Sequence, residues 1–188
     1  MIQRNRQHFL WGIVFTLLAT ASLSAQDRPV FEVAGGYSRV NRVGLVEGHG
    51  SGWLASVSWP VKVWLALVLE GGEEQANQKI GFLGVDTDFQ TLLVGTRLSV
   101  SAWRVRPFAQ VFGGTTRIST WLTTAVPFMS TGQFAERHPT LQVGIGVQAP
   151  IGGPFALRAA ADYRRIFDVA GLNQIRITTA VAFGFGRR

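Results

Sequence analysis

From about residue 29 onward, apolar residues alternate with small or polar ones at a period of two, segment after segment. That period marks β-strands whose two faces meet different surroundings. Sustained 3.6-residue periodicity with helix caps is absent, so the chain reads as strands nearly throughout. Eight strands are predicted, over about 29–40, 51–59, 61–71, 88–101, 104–116, 139–149, 154–165 and 174–186. In the sixth, Leu141, Val143, Ile145 and Val147 oppose Gln142, Gly144, Gly146 and Gln148. In the seventh, Phe155, Leu157 and Tyr163 oppose Arg158, Asp162 and Arg164. In the eighth, Ile175, Ile177, Val181, Phe183 and Phe185 oppose Arg176, Thr178, Ala180 and Gly184. The fifth is ambiguous, because Phe108 and Phe112 share a phase with Gln110.

The connections fall into two alternating classes. Ser58–Lys62, Ala102–Val105 and Ala149–Pro154 read as tight turns. The others, about 41–50, 72–87, 117–138 and 166–173, are longer and polar. Short turns at one end and long loops at the other predict an up-and-down barrel rather than a Greek-key sandwich. Strands of this length suit a bilayer crossed by about 9–11 tilted residues.

Which face is inside decides the class of protein. An apolar interior, as in a lipocalin-like periplasmic carrier, would crowd large side chains into a small barrel. It would also leave an exterior of Gly and Ala with sparse charge. An apolar exterior instead puts Gly, Ala, Ser, Gln and a few ions into a narrow lumen, which an eight-strand barrel can fill with side chains. The expected fold is therefore all-β: an eight-stranded antiparallel up-and-down transmembrane β-barrel. Aromatic placement agrees. Phe31, Trp59, Trp103, Phe155 and Phe185 fall near the tight-turn end, and Tyr37, Trp53 and Tyr163 near the long-loop end. Two such girdles are expected where amphipathic rings settle at headgroup level.

Composition points the same way. The 188 residues are 47% hydrophobic and only 15% charged, well below the roughly 25% charge of a soluble domain. Residues 1–25 have the layout of a secretory signal peptide, with Arg4 and Arg6 before an apolar run and small residues after it. Residues 26–188 are then the barrel domain. No later segment suits a transmembrane helix. The absence of cysteine leaves no disulfide framework and no thiolate metal site, and a lipid anchor is not expected. With three scattered histidines, neither a metal nor another cofactor is expected.

The net charge is +7, which raises the question of a polyanion. In the long connections, however, Arg42, Lys79, Arg117, Arg137 and Arg165 are outnumbered by Glu47, Glu73, Glu74, Asp86, Asp88, Glu136 and Asp168. The basic excess sits on inward strand positions, turns and the C-terminus, so nucleic acid is not an expected partner. Glu32, Glu70, Arg97, Arg158, Asp162 and Arg176 all fall on the lumenal phase. Charges so confined must pair, and a structural network plugging the barrel is expected. The sharper expectation is a gate that opens by exchanging ion partners and lets small ions leak through, motivated by Arg97, Arg158 and Arg176 outnumbering Glu70 and Asp162 before Glu32 joins them.

FQTLLVGTRLS, VRPFAQVFGGTTR, FALRAAADYRRIF and NQIRITTAVAFGFG resemble the strands of the bacterial outer-membrane protein β-barrel domain family, the small eight-stranded OmpA-type and porin-family barrels. The resemblance covers about residues 29–186. It implies a monomer in the outer membrane, in contact with lipid and lipopolysaccharide, inserted by the barrel-assembly machinery. Two departures stand out. The strands run to the end of the chain, so no periplasmic peptidoglycan-binding domain is expected. The chain ends FGFGRR rather than on a terminal aromatic, leaving Phe185 for the assembly role. These patterns encode a wall and no reaction. The expected function is a non-catalytic envelope or surface role with at most limited small-solute diffusion and no identified surface ligand. The one hydrolase-like string is EGHGSGW, residues 47–53, whose His49 and Ser51 form an H-x-S pair similar to that of outer-membrane lipid A deacylases. It reads here as a Gly-rich surface loop. A lipid-modifying enzyme and a soluble periplasmic carrier are the alternatives.

Overall fold

The structure is a computed structural model, and it describes residues 31–43, 49–80, 83–101, 104–124, 133–167 and 171–186. The predicted signal peptide and Trp103 lie outside the described residues. Eight strands form one closed sheet: β1 (Phe31–Val43), β2 (His49–Pro60), β3 (Leu65–Ile80), β4 (Leu83–Ser99), β5 (Arg106–Thr124), β6 (Gln133–Gly152), β7 (Phe155–Ile166) and β8 (Leu172–Phe185). Each pairs antiparallel with the next, and β8 closes onto β1 from Phe31↔Phe185 to Val43↔Asn173. Closure leaves no strand edge unpaired, the condition for spanning lipid with sheet.

The turn end is compact. Val61–Trp64 links β2 to β3, with the Val61 and Lys62 amides donating to the Leu65 carbonyl at 2.9 and 3.0 Å. The third strand thus starts at Leu65 rather than 61, because Pro60 has no amide to continue the ladder. Between β6 and β7, Gly152 and Gly153 take φ of 133° and 56°, conformations open to glycine.

The other end departs further from expectation. Residues 72–87, expected as a loop, are almost entirely strand, since β3 runs to Ile80 and β4 starts at Leu83. The expected loop 117–138 is likewise strand up to Thr124 and again from Gln133, with 125–132 outside the described residues. Here the outward positions turn polar and the apolar alternation stops, but the ladder hydrogen bonds continue. β3 to β6 therefore rise beyond the rest of the wall as a four-stranded extension.

Exposure alternates in the inverted sense. Leu157 is 50% exposed beside Arg158 at 6%, and Ile175 is 44% exposed beside Arg176 at 1%. Leu67, Leu69, Leu92, Val94, Val111, Leu141, Val143, Ile145, Val181 and others form a continuous exposed apolar belt. Soluble monomers rarely expose patches beyond a few hundred Å². Above the belt the polar outward residues are Arg39, Ser51, Glu73, Gln90, Thr115 followed by Arg117, Arg137, Arg165 and Asn173. Inside, Val68, Leu93 and Phe112 pack together. Ala76, Phe89 and Ile166, flanked by Ile118 and Leu172, cap the lumen at the extension end.

The ambiguous fifth strand is settled by neighbouring glycines. Phe108, Gln110 and Phe112 all face the lumen, at 5%, 3% and 0% exposure. A Cβ on Gly146 would stand 2.4 Å from the Phe108 ring, and one on Gly95 would stand 2.6 Å from the Phe112 ring. Two rings fit a narrow interior because the adjacent strands give up their side chains there.

Candidate functional site

The structure places Glu32, Glu70, Arg97, Arg158, Asp162 and Arg176 inside the barrel. It adds Glu74 and Arg164, which complete the first of two connected clusters. Toward the extension end, Arg164 and Arg176 share three carboxylates. Arg164 Nη1 lies 2.9 Å from Glu74 Oε2. Arg176 contacts Glu70, lies 3.5 Å from Glu74 Oε1 and lies 3.3 Å from Asp162 Oδ2. Neutral groups add to the shell, although the Gln142 and Gln174 side-chain nitrogens are buried without a hydrogen-bond partner. Ser38 donates to Glu74 at 2.8 Å, and Arg164 donates to the Gln142 and Gln174 carbonyls at 3.0 and 3.5 Å. Arg164, Gln142 and Gln174 have no exposed surface.

The cluster is built from local sequence. Arg158, Asp162 and Arg164 all lie on the lumenal phase of β7, and Asp162 is the register partner of Arg176 on β8. On β6, Gly144 faces Asp162, and a Cβ there would fall 1.9 Å from the Asp162 carboxylate oxygen. That glycine makes room for the carboxylate.

Toward the turn end, Arg158 pairs with Glu32, and both are tied to Gln148. The Gln148 amide donates to Glu32 at 2.7 Å, and Arg158 donates to its carbonyl at 3.1 and 3.3 Å. Arg97 is 5% exposed and has no carboxylate within salt-bridge distance among the described residues. It donates twice to Gln110 Oε1, at 3.1 and 3.0 Å, and Gln110 passes a 2.7 Å hydrogen bond to Asp162. Its guanidinium lies 4.8 Å from the centroid of the Phe108 ring. Beside it a cavity of about 80 Å³ opens at the turn end, lined by Glu32, Ser58, Lys62, Arg97, Arg106 and Gln148 among others. A ligand cavity for a small molecule is about 300–1,000 Å³, so this space takes water or a small ion.

With Arg164 and Glu74 added, Arg97, Arg158, Arg164 and Arg176 meet Glu32, Glu70, Glu74 and Asp162, one cation to each carboxylate. Arg164 was visible on the charged phase of β7 but sits at its end. Glu74 follows Gly71-Gly72-Glu73, a string that reads as a loop and is strand in the structure.

Outside, the turn-end aromatics form a cluster. Phe31 stacks on Phe185 at 4.6 Å across the β1–β8 seam, and Phe183 lies 4.5 Å from Phe185 and 4.9 Å from Phe155. Trp59 is exposed nearby on β2. Higher on the wall, Tyr37 and Trp53 are direct cross-strand partners. The Tyr163 hydroxyl donates to Asn173 at 2.9 Å, its ring against the belt and its polar tip at the boundary.

The loop expected over residues 47–53 is strand from His49 onward. His49 and Ser51 both lie on β2, on the outer wall above the belt. His49 Nδ1 is 3.0 Å from Asn41 Oδ1, and no hydrogen bond joins Ser51 to His49. Among the described residues there is no cluster of metal-ligating side chains.

No protein-family model matches the chain, and no curated protein matches it in sequence. Solved structures do match. Neisserial surface protein A aligns over 82% of this chain and 97% of its own, with 14% identity and a TM-score of 0.64. Ail, the attachment invasion locus protein of Yersinia pestis, aligns over 83% and 99%, with 13% identity and a TM-score of 0.58. A major outer membrane protein of Thermus thermophilus aligns over 82% and 99%, with 11% identity and a TM-score of 0.56. At these identities the likeness is one of fold. The chain has the fold of the small outer-membrane β-barrels.

Proposed function

We propose that this chain is an exported, monomeric, non-catalytic barrel of the outer membrane, with its lumen closed by ion pairs and its tight turns in the periplasm. Its work is done on its outer surface, as an envelope-structural or surface-interaction protein, with lipid and lipopolysaccharide as its permanent surroundings. Insertion by the barrel-assembly machinery, with Phe185 near the C-terminus, belongs to the same proposal. The observation that carries it is the inverted exposure, with arginines buried and leucines bare around the whole wall. A water-soluble carrier needs the opposite arrangement and a larger cavity. The test is membrane fractionation with gel mobility before and after boiling. Outer-membrane recovery with a heat-dependent mobility shift supports the proposal. Release by osmotic shock overturns it.

A hydrolytic reading draws on one observation, the His49–Asn41 contact on the outer wall with Ser51 two residues on. A serine nucleophile must be within hydrogen-bond reach of its base, and Ser51 makes no such bond, which supports the non-catalytic reading. Mass spectrometry of lipid A from cells expressing wild type or Ser51→Ala decides it. Identical, fully acylated lipid A in both is the expected result, and acyl loss with wild type alone would reverse it.

A further inference from the structure

The polar boundary above the apolar belt is unevenly charged. On β5, β6 and β7 its charged residues are Arg117, just above Thr115, Arg137 and Arg165, all outward-facing and exposed. On β3 and β4 its residues are Glu73 and Gln90, followed by Asp88 and Asp86. Arg117 and Arg137 are direct register partners across the β5–β6 ladder. Like charges set directly opposite destabilise a sheet. Among the described residues no carboxylate relieves this pair. Nothing between them can do so either, since the chain from Ile118 to Ala135 contains no Asp or Glu. The next acidic residue, Glu136, has its carboxylate 3.4 Å from His138 Nε2. On β7, the Arg165 guanidinium lies 5.5 Å from the centroid of the Phe167 ring.

We infer that Arg117, Arg137 and Arg165 form a binding site for the phosphate groups of an outer-leaflet lipid A headgroup. The inference rests on the proposed membrane placement, with the β3–β6 extension outward. The three arginines stand where the wall leaves the hydrocarbon, which is headgroup depth. Guanidinium is the side chain that takes phosphate with two parallel hydrogen bonds. Two adjacent guanidiniums with no ion-paired carboxylate among the described residues suit a doubly charged phosphate, while the acyl chains of the same molecule lie against the belt below, on Leu141 and Val143. The acidic side, Glu73, Asp86 and Asp88, repels the same headgroup and gives the barrel a preferred lipid-binding flank.

The test is native mass spectrometry of the full barrel released from detergent, after incubation with bisphosphorylated lipid A, with lipid A stripped of phosphate, or with inorganic phosphate. Wild type should retain bisphosphorylated lipid A. The double variant Arg117→Gln/Arg137→Gln should lose that retention about tenfold, on the scale of one or two charge-assisted hydrogen bonds. The stripped lipid should bind both proteins alike. Arg165→Gln should lose less, and Glu73→Gln nothing. A heat-dependent mobility shift establishes that each variant is folded, and Arg117→Gln alone replaces the double variant if that one is not. Equal retention of bisphosphorylated lipid A by wild type and folded variant would overturn the inference while leaving the membrane placement intact. So would full displacement by inorganic phosphate. Failure to retain either lipid, with release by osmotic shock, would remove the membrane placement and the inference with it.

Discussion

Two halves of one lumen use the same residue types to different effect. Toward the extension, Arg164 and Arg176 divide Glu70, Glu74 and Asp162 between them, every member buried and most in two or more contacts. Toward the turns, Arg158 has Glu32 alone, Arg97 reaches a carboxylate only through Gln110, and a cavity of about 80 Å³ lies beside them. The difference follows from where each half sits. Buried charges are tolerable only in contact with opposite charge, and toward the extension two arginines touch all three carboxylates. The turn end can borrow water from its mouth, so it keeps a looser set. On the proposed reading, closure belongs to the extension half.

Removing single cations should rank the two halves. The largest effect is expected from Arg176→Met, which strands Glu70 and Asp162 in the interior. A loss of about 3–5 kcal/mol should appear as a lower urea midpoint for the mobility shift in detergent. Arg158→Met strands Glu32 beside the cavity, where Gln148, Ser58 and water still serve it. A loss of about 1–3 kcal/mol is expected in the same titration. Equal losses would erase the distinction between the halves. Arg97→Met strands no carboxylate and should shift the midpoint by about 1 kcal/mol or less in either direction.

The smallest effect tests the outer wall. Burial, then the neighbouring Glu73 and Asp86 charges, raise the Asp88 carboxyl above its ordinary range. A carboxyl raised in the folded state favours folding while protonated and opposes it once ionised. That contribution is complete below the unfolded value of about 3.9 and is lost as pH rises through the folded value. Asp88→Asn should thus be slightly more stable than wild type at neutral pH. The gain should shrink as pH falls through the folded carboxyl range. Paired titrations at neutral and acid pH check this, and a constant difference would show that Asp88 feels no such field.

Much of this was legible in the alternation. Strand number, up-and-down order and the lipid-facing phase of β7 and β8 follow from Leu157, Ile175 and their charged neighbours. The extension was not legible, because hydrophobic alternation records the belt and not the strand. Beyond Gly72 and Gln90 the outward face turns polar, so Glu74 looked like loop although its ladder partner Phe89 is buried. The phase of β5 was hidden for a different reason. Phe108 and Phe112 look lipid-facing until Gly146 and Gly95, residues far away in sequence, are seen to vacate the space inside. The partner of each ion was likewise a matter of register. Asp162 and Arg176 meet because β7 and β8 align them, which composition does not encode.

Closure of the outer half is most directly measured as ion current through the purified wild-type barrel in a planar lipid bilayer. The ion-paired plug predicts a flat baseline at moderate voltage, unchanged in Arg97→Ala. Long-lived single-channel steps from wild type, altered in Glu70→Ala or Arg97→Ala, would contradict it and show a gate in place of a plug.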